Sequence, residues 1–458
     1  MTILTCISPI DGEIVATRAT LSLPAAIARC QAARAAQIAW AARPLAERVA
    51  LVRKACALIG EQKDRMTREL AIQMGRPVRY GGEFRGLNER VQYMCDIAAS
   101  SLKPMVIEDN EAVLRQIVRE PLGVVLVIAP WNYPYMTAIN TIAPALVAGN
   151  SVLLKHSEQT LLTGEHLVEA FVAAGVPADV FSNVFLDHET TGELISGRHV
   201  QFVNFTGSVA GGKAIETAAA GTFIGVATEL GGKDPAYIRA DADLDAAVES
   251  VLDGAMFNAG QCCCGIERIY VHESLYEAFV AKAVAWTRQL KLGNPLDTET
   301  TIGPMANIRF ARMVREHVAE AVAQGAVAHI APMSADDGGT YVTPQILTNV
   351  HHNMRVMREE TFGPVVGIMP VKDDEEAIGL MNDSDYGLTV SIWTSDAQAA
   401  EAIGARVETG TVFMNRCDYL DPALCWTGCK NTGHGASLSV LGYQALTRPK
   451  SYYLNKKV

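Results

Sequence analysis

The chain reads as an α/β protein with a doubly wound parallel sheet, and three observations carry that expectation. Short β-branched runs alternate with helix-length amphipathic stretches between residues 123 and 212. The runs are apolar along their whole length, as in parallel strands buried on both faces. Gly and Pro stand at the junctions, where a strand must hand over to a helix.

In chain order, the first hundred residues read as helical, over 24–42, 45–73 and 84–101, with a Gly-rich break before the last. Alternating, strand-like segments follow over 103–120. The first buried strand is 123–128, bounded by Pro121 and Pro130. A helix over 136–148 leads to a strand over 151–155, and a helix over 161–174 closes on Gly175 and Pro177. A strand over 201–205 then runs into Thr206-Gly207-Ser208-Val209-Ala210-Gly211-Gly212 and another helix. A second α/β set begins near Gly232, with helices over 244–258 and 275–289 and strands over 268–271 and 365–369. Residues 333–343 are polar and Gly-rich, as expected of a surface excursion, and 450–454 read as a short terminal strand.

Composition narrows the function. At 458 residues with 49% hydrophobic and 19% charged content, two or three well-packed domains are expected. A net charge of −11 without an acidic block argues against nucleic acid as a partner. No apolar stretch has the length of a membrane span, and Met1–Cys6 has no signal-peptide pattern. Ten cysteines without a regular framework point to a reducing cytoplasm. Cys425, Cys429 and His434 fit no zinc spacing and read as loop and core residues, so no metal is expected.

Three residue types carry chemistry. The run Gly260-Gln261-Cys262-Cys263-Cys264 offers thiols as nucleophiles, Glu229-Leu230-Gly231-Gly232-Lys233 offers a carboxylate, and Pro130-Trp131-Asn132-Tyr133-Pro134 offers an amide. Together these can add to a carbonyl, stabilise the oxyanion and hydrolyse a thioester. Each alone has an ordinary reading: a core cysteine, a turn, a helix start. Thr206-Gly207-Ser208 is not a G-x-G-x-x-G fingerprint, so it points only weakly to a dinucleotide.

Together they resemble the aldehyde dehydrogenase superfamily, from Pro9-Ile10-Asp11-Gly12 to Thr447-Arg448-Pro449-Lys450. The matching pieces occur in order: the Asn132 motif, Lys155-His156-Ser157-Glu158, Phe205-Thr206-Gly207-Ser208, the Glu229 motif, Gly260-Gln261-Cys262-Cys263, and Glu359-Glu360-Thr361-Phe362-Gly363-Pro364. The resemblance implies a Rossmann-type cofactor domain (1–102 and 122–231), an α/β catalytic domain (232–446) and a small β oligomerisation arm (103–121 and 447–458). It selects Cys263 as nucleophile, Asn132 with the Cys263 N–H as oxyanion donors, and Glu229 as the base that activates water. Cys262 and Cys264 would flank the site as structural residues, or pair reversibly with Cys263 under oxidation. Glu229 favours hydrolysis over transfer to CoA.

For the cofactor, the resemblance implies Trp131, Lys155, Glu158, Gly207, Ser208, Gly212, Glu360 and Phe362. A carboxylate at Glu158 accepts ribose hydroxyls and repels a 2′-phosphate, so NAD is favoured over NADP. His156 stands where proline is commoner. The substrate tunnel is expected to be lined by Tyr133, Met136, Phe257, Tyr419, Leu420 and Trp426, which suits a medium aliphatic or aromatic aldehyde. Asn140, where some relatives carry a bulky aromatic, widens the tunnel on its side. Arg416 offers a second reading: turned inward, it would bind a distal carboxylate and make this a semialdehyde dehydrogenase. Otherwise it pairs with Asp418, Asp421 or another acidic neighbour at the rim. The arm implies a homodimer at least, and a homotetramer as a pair of dimers. Readings from other classes are a thiol esterase or acyl transferase, and a non-catalytic binding protein on the same fold.

Overall fold

The computed structural model describes residues 2–457. Among them, a six-stranded sheet runs in the order 433–434, 225–229, 202–206, 124–128, 151–155, 181–183, parallel except at the 433–434 edge. The order reverses between Val124–Ile128 and Phe202–Thr206, which opens a crevice at the carboxyl ends of those strands. Val124–Ile128 is buried along its whole length, as its unbroken apolar run requires.

A second sheet of seven strands runs 327–328, 345–348, 365–371, 266–272, 234–238, 389–393, 411–414, again parallel except at its first edge. Three antiparallel strands, Met105–Asp109, Val113–Pro121 and Thr447–Asn455, form the arm. Residues 433–446 return to the first sheet. Gly433–His434 pairs with Thr228 and Glu229, and Tyr443 and Leu446 join the first hydrophobic core.

Local chemistry explains the elements that aim the site. Helix Pro134–Ala148 starts on a proline and ends at Gly149, whose φ of +98° is the left-handed geometry glycine tolerates. Its exposed first N–H groups, on Tyr135 and Met136, donate to the Glu83 carboxylate at 2.9 and 2.7 Å. Helix Val209–Ala219 is capped by Ser208, which accepts the Gly211 N–H at 3.2 Å.

Several expectations need correction. The first hundred residues are not all helical: Ile3–Ile7 and Ile14–Ala19 form a hairpin around Gly12, covered by Leu161, Leu162 and Phe185. The expected helix over 45–73 is two helices, Leu45–Glu61 and Lys63–Met74. The helix expected from 136 starts at Pro134, and the one expected to reach 258 ends at Met256, before a distorted turn. Residues 333–343 form no helix or strand.

Candidate active site

Three sequence motifs meet because their glycines leave room. A methyl group at Gly232 would strike the Cys263 carbonyl oxygen, and one at Gly260 would strike the Gly363 carbonyl. The chain approaches Cys263 through three successive left-handed residues, Asn258, Ala259 and Gly260, with φ of 54°, 56° and 68°. Asn258 and Ala259 pay no such conformation lightly; surrounding hydrogen bonds must hold it. Gln261 supplies two of these, accepting the Ala306 N–H at 2.8 Å and donating to the Asn258 carbonyl at 3.0 Å.

Cys263 itself is half-buried between two buried neighbours. The sulfurs of Cys262, Cys263 and Cys264 all lie within 4.8 Å of one another. The Cys262 and Cys264 thiols also donate to Asp418 Oδ1, each at 3.1 Å. Hydrogen bonds from Cys262 and then Cys264 draw the Cys263 thiol down to about 6, against its burial. Each neighbour has one proton, so Asp418 and Cys263 compete for it.

Asn132 is buried, and its amide donates to the Gln261 carbonyl at 3.3 Å. That bond uses one of two amide hydrogens and ties the Asn132 loop to the cysteine loop. Arg76 braces the same corner. It pairs with Glu83 at 2.9 Å, donates to Asn258 Oδ1 at 3.3 Å and to the Asn132 carbonyl, and lies 4.6 Å over the Tyr133 ring.

Glu229 ends the strand Gly225–Glu229 beside Thr206, whose hydroxyl lies 3.4 Å from its carboxylate. The Gly207 N–H donates to the Glu229 carbonyl at 3.1 Å. Burial pushes the Glu229 carboxyl up, and hydrogen bonding and the Arg90 charge partly oppose it.

Of the expected cofactor residues, Trp131, Lys155, Glu158, Gly207 and Ser208 stand at or just beyond the carboxyl ends of strands of the first sheet, and Glu360 and Phe362 precede strand Val365–Val371 of the second. Lys155 ends its strand half-buried, with its ammonium drawn down by burial, and Glu158 stands exposed three residues on. A methyl at Gly212 would strike Leu230, so this glycine sets how closely helix Val209–Ala219 packs. Glu360 Oε1 accepts the Gly232 N–H at 3.0 Å, and burial pushes its carboxyl up to about 8. Trp131 meets Phe362 edge-on at 5.7 Å and stacks on Phe310 at 5.1 Å. His156 is buried at the strand exit. Its Nε2 donates to the Pro134 carbonyl at 3.2 Å, and burial holds the ring near 4, hence neutral.

The expected substrate residues divide. Tyr133, Met136 and Leu420 pack on the same core as Cys262, Cys264 and Trp426, and Trp426 is 5% exposed. Phe257 stands apart, 4.8 Å from the Tyr80 ring. Tyr419 lies outward and donates to Glu89 at 2.7 Å. Asn140 instead lines a small buried cavity with Thr141, Asn204, Ala227 and Ser437. Arg416 is exposed and lies 3.5 Å over the Tyr419 ring, while Asp418 faces the thiols. The inward Arg416 is therefore corrected, and so is its expected acidic partner: an aromatic face takes that place. Of the set-aside metal residues, Cys429 donates to the Glu408 carbonyl and His434 bonds Glu216.

Sequence reasoning missed Arg76, Glu83, Arg90, Glu267 and Asp418. Glu267 joins two motifs by accepting from buried Lys233 and from the N–H groups of Thr361 and Phe362 at 2.8 and 2.9 Å. A lone charged residue in a helix or strand carries no sequence signal of such burial.

The model of the aldehyde dehydrogenase family matches residues 2–452. A succinate-semialdehyde dehydrogenase [NADP(+)] of Deinococcus radiodurans is 34% identical over 97% of this chain and 93% of its own length. A betaine aldehyde dehydrogenase of Bacillus subtilis is 33% identical, covering 98% and 94%. Among solved structures, succinic semialdehyde dehydrogenase from Streptococcus pyogenes with NADP+ superposes with a TM-score of 0.94 at 28% identity, covering 99% of this chain and 100% of that one. An NAD-dependent aldehyde dehydrogenase from Sinorhizobium meliloti gives 0.94 at 31%, covering 100% and 92%. With relatives of this extent, and an α/β fold shared over its whole length, the chain belongs to the aldehyde dehydrogenase family, whose members use NAD(P).

Proposed function

We propose that this chain oxidises an aldehyde to its carboxylic acid through a covalent adduct on Cys263. The observation that carries the reading is the Cys263 thiol, set between the Cys262 and Cys264 sulfurs on a loop tied to the Asn132 amide. Hydrogen bonds from Cys262 and Cys264 draw that thiol down, so it yields its proton more readily than an ordinary cysteine, and the thiolate can attack a carbonyl carbon. The developing oxyanion would take the free Asn132 amide hydrogen and the Cys263 N–H, both on loops fixed before substrate arrives. Glu229, with its carboxyl pushed up by burial, is suited to take a proton from the water that hydrolyses the thioester.

The residues present fit a nicotinamide dinucleotide. The Ser208-capped helix offers an N-terminus to a pyrophosphate, Lys155 and Glu158 suit a ribose, and Glu360 with the Trp131–Phe362 pair suits the nicotinamide end. A nicotinamide dinucleotide held by these residues would supply the hydride acceptor for the oxidation. The exposed Glu158 carboxylate supports NAD over NADP, because it would meet a 2′-phosphate with like charge.

Tyr133, Met136 and Leu420 support a largely apolar tunnel for an aliphatic or aromatic chain. The arm supports a homodimer or a pair of dimers. It presents Met105, Val106, Ile107, Tyr453 and Leu454 to solvent, a surface three strands alone cannot cover. The test is NAD(P)H formation across aldehydes with Cys263→Ser as control. Turnover lost in the control supports the reading; turnover that survives it sinks the reading.

A further inference from the structure

Arg90 acts on the charge of Glu229, and among the described residues it has no hydrogen-bond or ion-pair partner of its own. It sits on helix Phe84–Ser101, is 7% exposed, and its Nε and Nη1 are buried without a hydrogen-bond partner. A methyl at Gly86, one turn earlier, would strike both Nη1 and the Met136 sulfur. The guanidinium therefore lies beside the Met136 side chain; burial draws its charge down, and Glu83, Glu89, Cys264 and Glu229 oppose this. A buried guanidinium left unpaired is costly, and buried arginines are ordinarily matched by carboxylates.

The neighbouring acids do not match it. Glu83 is committed to Arg76 and to the Tyr135 and Met136 N–H groups, and Glu89 accepts from Tyr419. Glu229 is held by Thr206.

We propose that Arg90 is a specificity-determining residue that binds the terminal carboxylate of an ω-carboxy aldehyde whose other end reaches Cys263. The inference rests on the proposed aldehyde oxidation at this site and deepens it. A planar guanidinium suits the two oxygens of a carboxylate, which it would meet through one edge, Nη1 together with Nη2. A phosphate is disfavoured, since one cation among Glu83, Glu89 and Glu229 does not balance a dianion. Arg90 would then do what an inward Arg416 would have done, from another element.

The test compares kcat/KM for the ladder 4-oxobutanoate to 6-oxohexanoate with butanal to hexanal, in the wild type, Arg90→Gln and Arg90→Lys. The wild type should prefer the carboxylated member at one length, and Arg90→Gln should cut that preference ~30-fold or more, mainly through KM. Arg90→Lys should restore part of it, since it keeps charge without the fork. Glutarate, but not pentanoate, should raise the unfolding temperature of the wild type, a readout that needs no turnover. A wild type that oxidises alkyl aldehydes with no carboxylate preference at any length overturns the proposal and leaves the reaction standing. So does equal loss of kcat with both series in Arg90→Gln, which would assign Arg90 to Glu229. No NAD(P)H from any aldehyde overturns both.

Discussion

Lys233 and Glu267 form a buried ion pair that holds two halves of the site in one register. Lys233 belongs to the segment that begins with Glu229, and the same Glu267 carboxylate binds the N–H groups of Thr361 and Phe362, next to Glu360. Removing one partner of such a pair leaves the other charged and desolvated.

Glu267→Gln is therefore expected to cost about 3–5 kcal/mol of folding stability. Where the variant remains folded, it should raise KM for the nicotinamide cofactor more than for the aldehyde. Urea denaturation and paired KM measurements check this. Unchanged stability would mean that Lys233 is satisfied without Glu267.

On the proposed mechanism, the neighbouring thiols would set the acid limb of activity. Because the thiolate is the attacking form, kcat/KM should fall as pH drops through about 6, where Cys263 takes up its proton. Cys264→Ala removes a donor, so the limb should move upward, toward the ordinary thiol value of about 8.5. A pH profile of kcat/KM for both proteins decides it; an unmoved limb would assign the titration to another group.

Glu229→Gln keeps the shape of the side chain but cannot take a proton from water. Its expected signature is a first turnover of NAD(P)H close to stoichiometric with active sites, then a steady rate slowed ~10²–10⁴-fold. Rapid-mixing absorbance resolves the two phases. Loss of the first turnover as well would move Glu229 to an earlier step.

Glu158→Ser removes the carboxylate that opposes a 2′-phosphate near Lys155. The ratio of NADP+ to NAD+ efficiency should rise by ~10-fold or more, an energy on the scale of one charge-assisted hydrogen bond. Parallel titrations of both cofactors read it directly. No change would place the ribose discrimination elsewhere.

The parts of this site legible in the sequence are those imposed by backbone geometry and reactive atoms. Gly232 and Gly260 are needed where chains cross, and Cys263, Asn132 and Glu229 stand in motifs of such residues. What the sequence hid depends on partners far along the chain. Helix Pro134–Ala148 begins two residues early because Glu83, about fifty residues before it, receives its first N–H groups. The hairpin Ile3–Ala19 is stable under Leu161 and Phe185, which no local pattern announces. Arg76, Arg90 and Glu267 read as surface charges until the fold buries them. The two helices within 45–74 meet at Gln62 with neither Gly nor Pro to mark the break.

Carbon–sulfur bond formation at Cys263 can be observed directly. Glu229→Gln mixed with aldehyde and NAD(P)+, quenched in acid and digested, should carry the acyl mass on the peptide containing Cys263, assigned to that residue by fragmentation. An acyl group on Cys262 or Cys264, or NAD(P)H formed with no acylated peptide, would contradict the account.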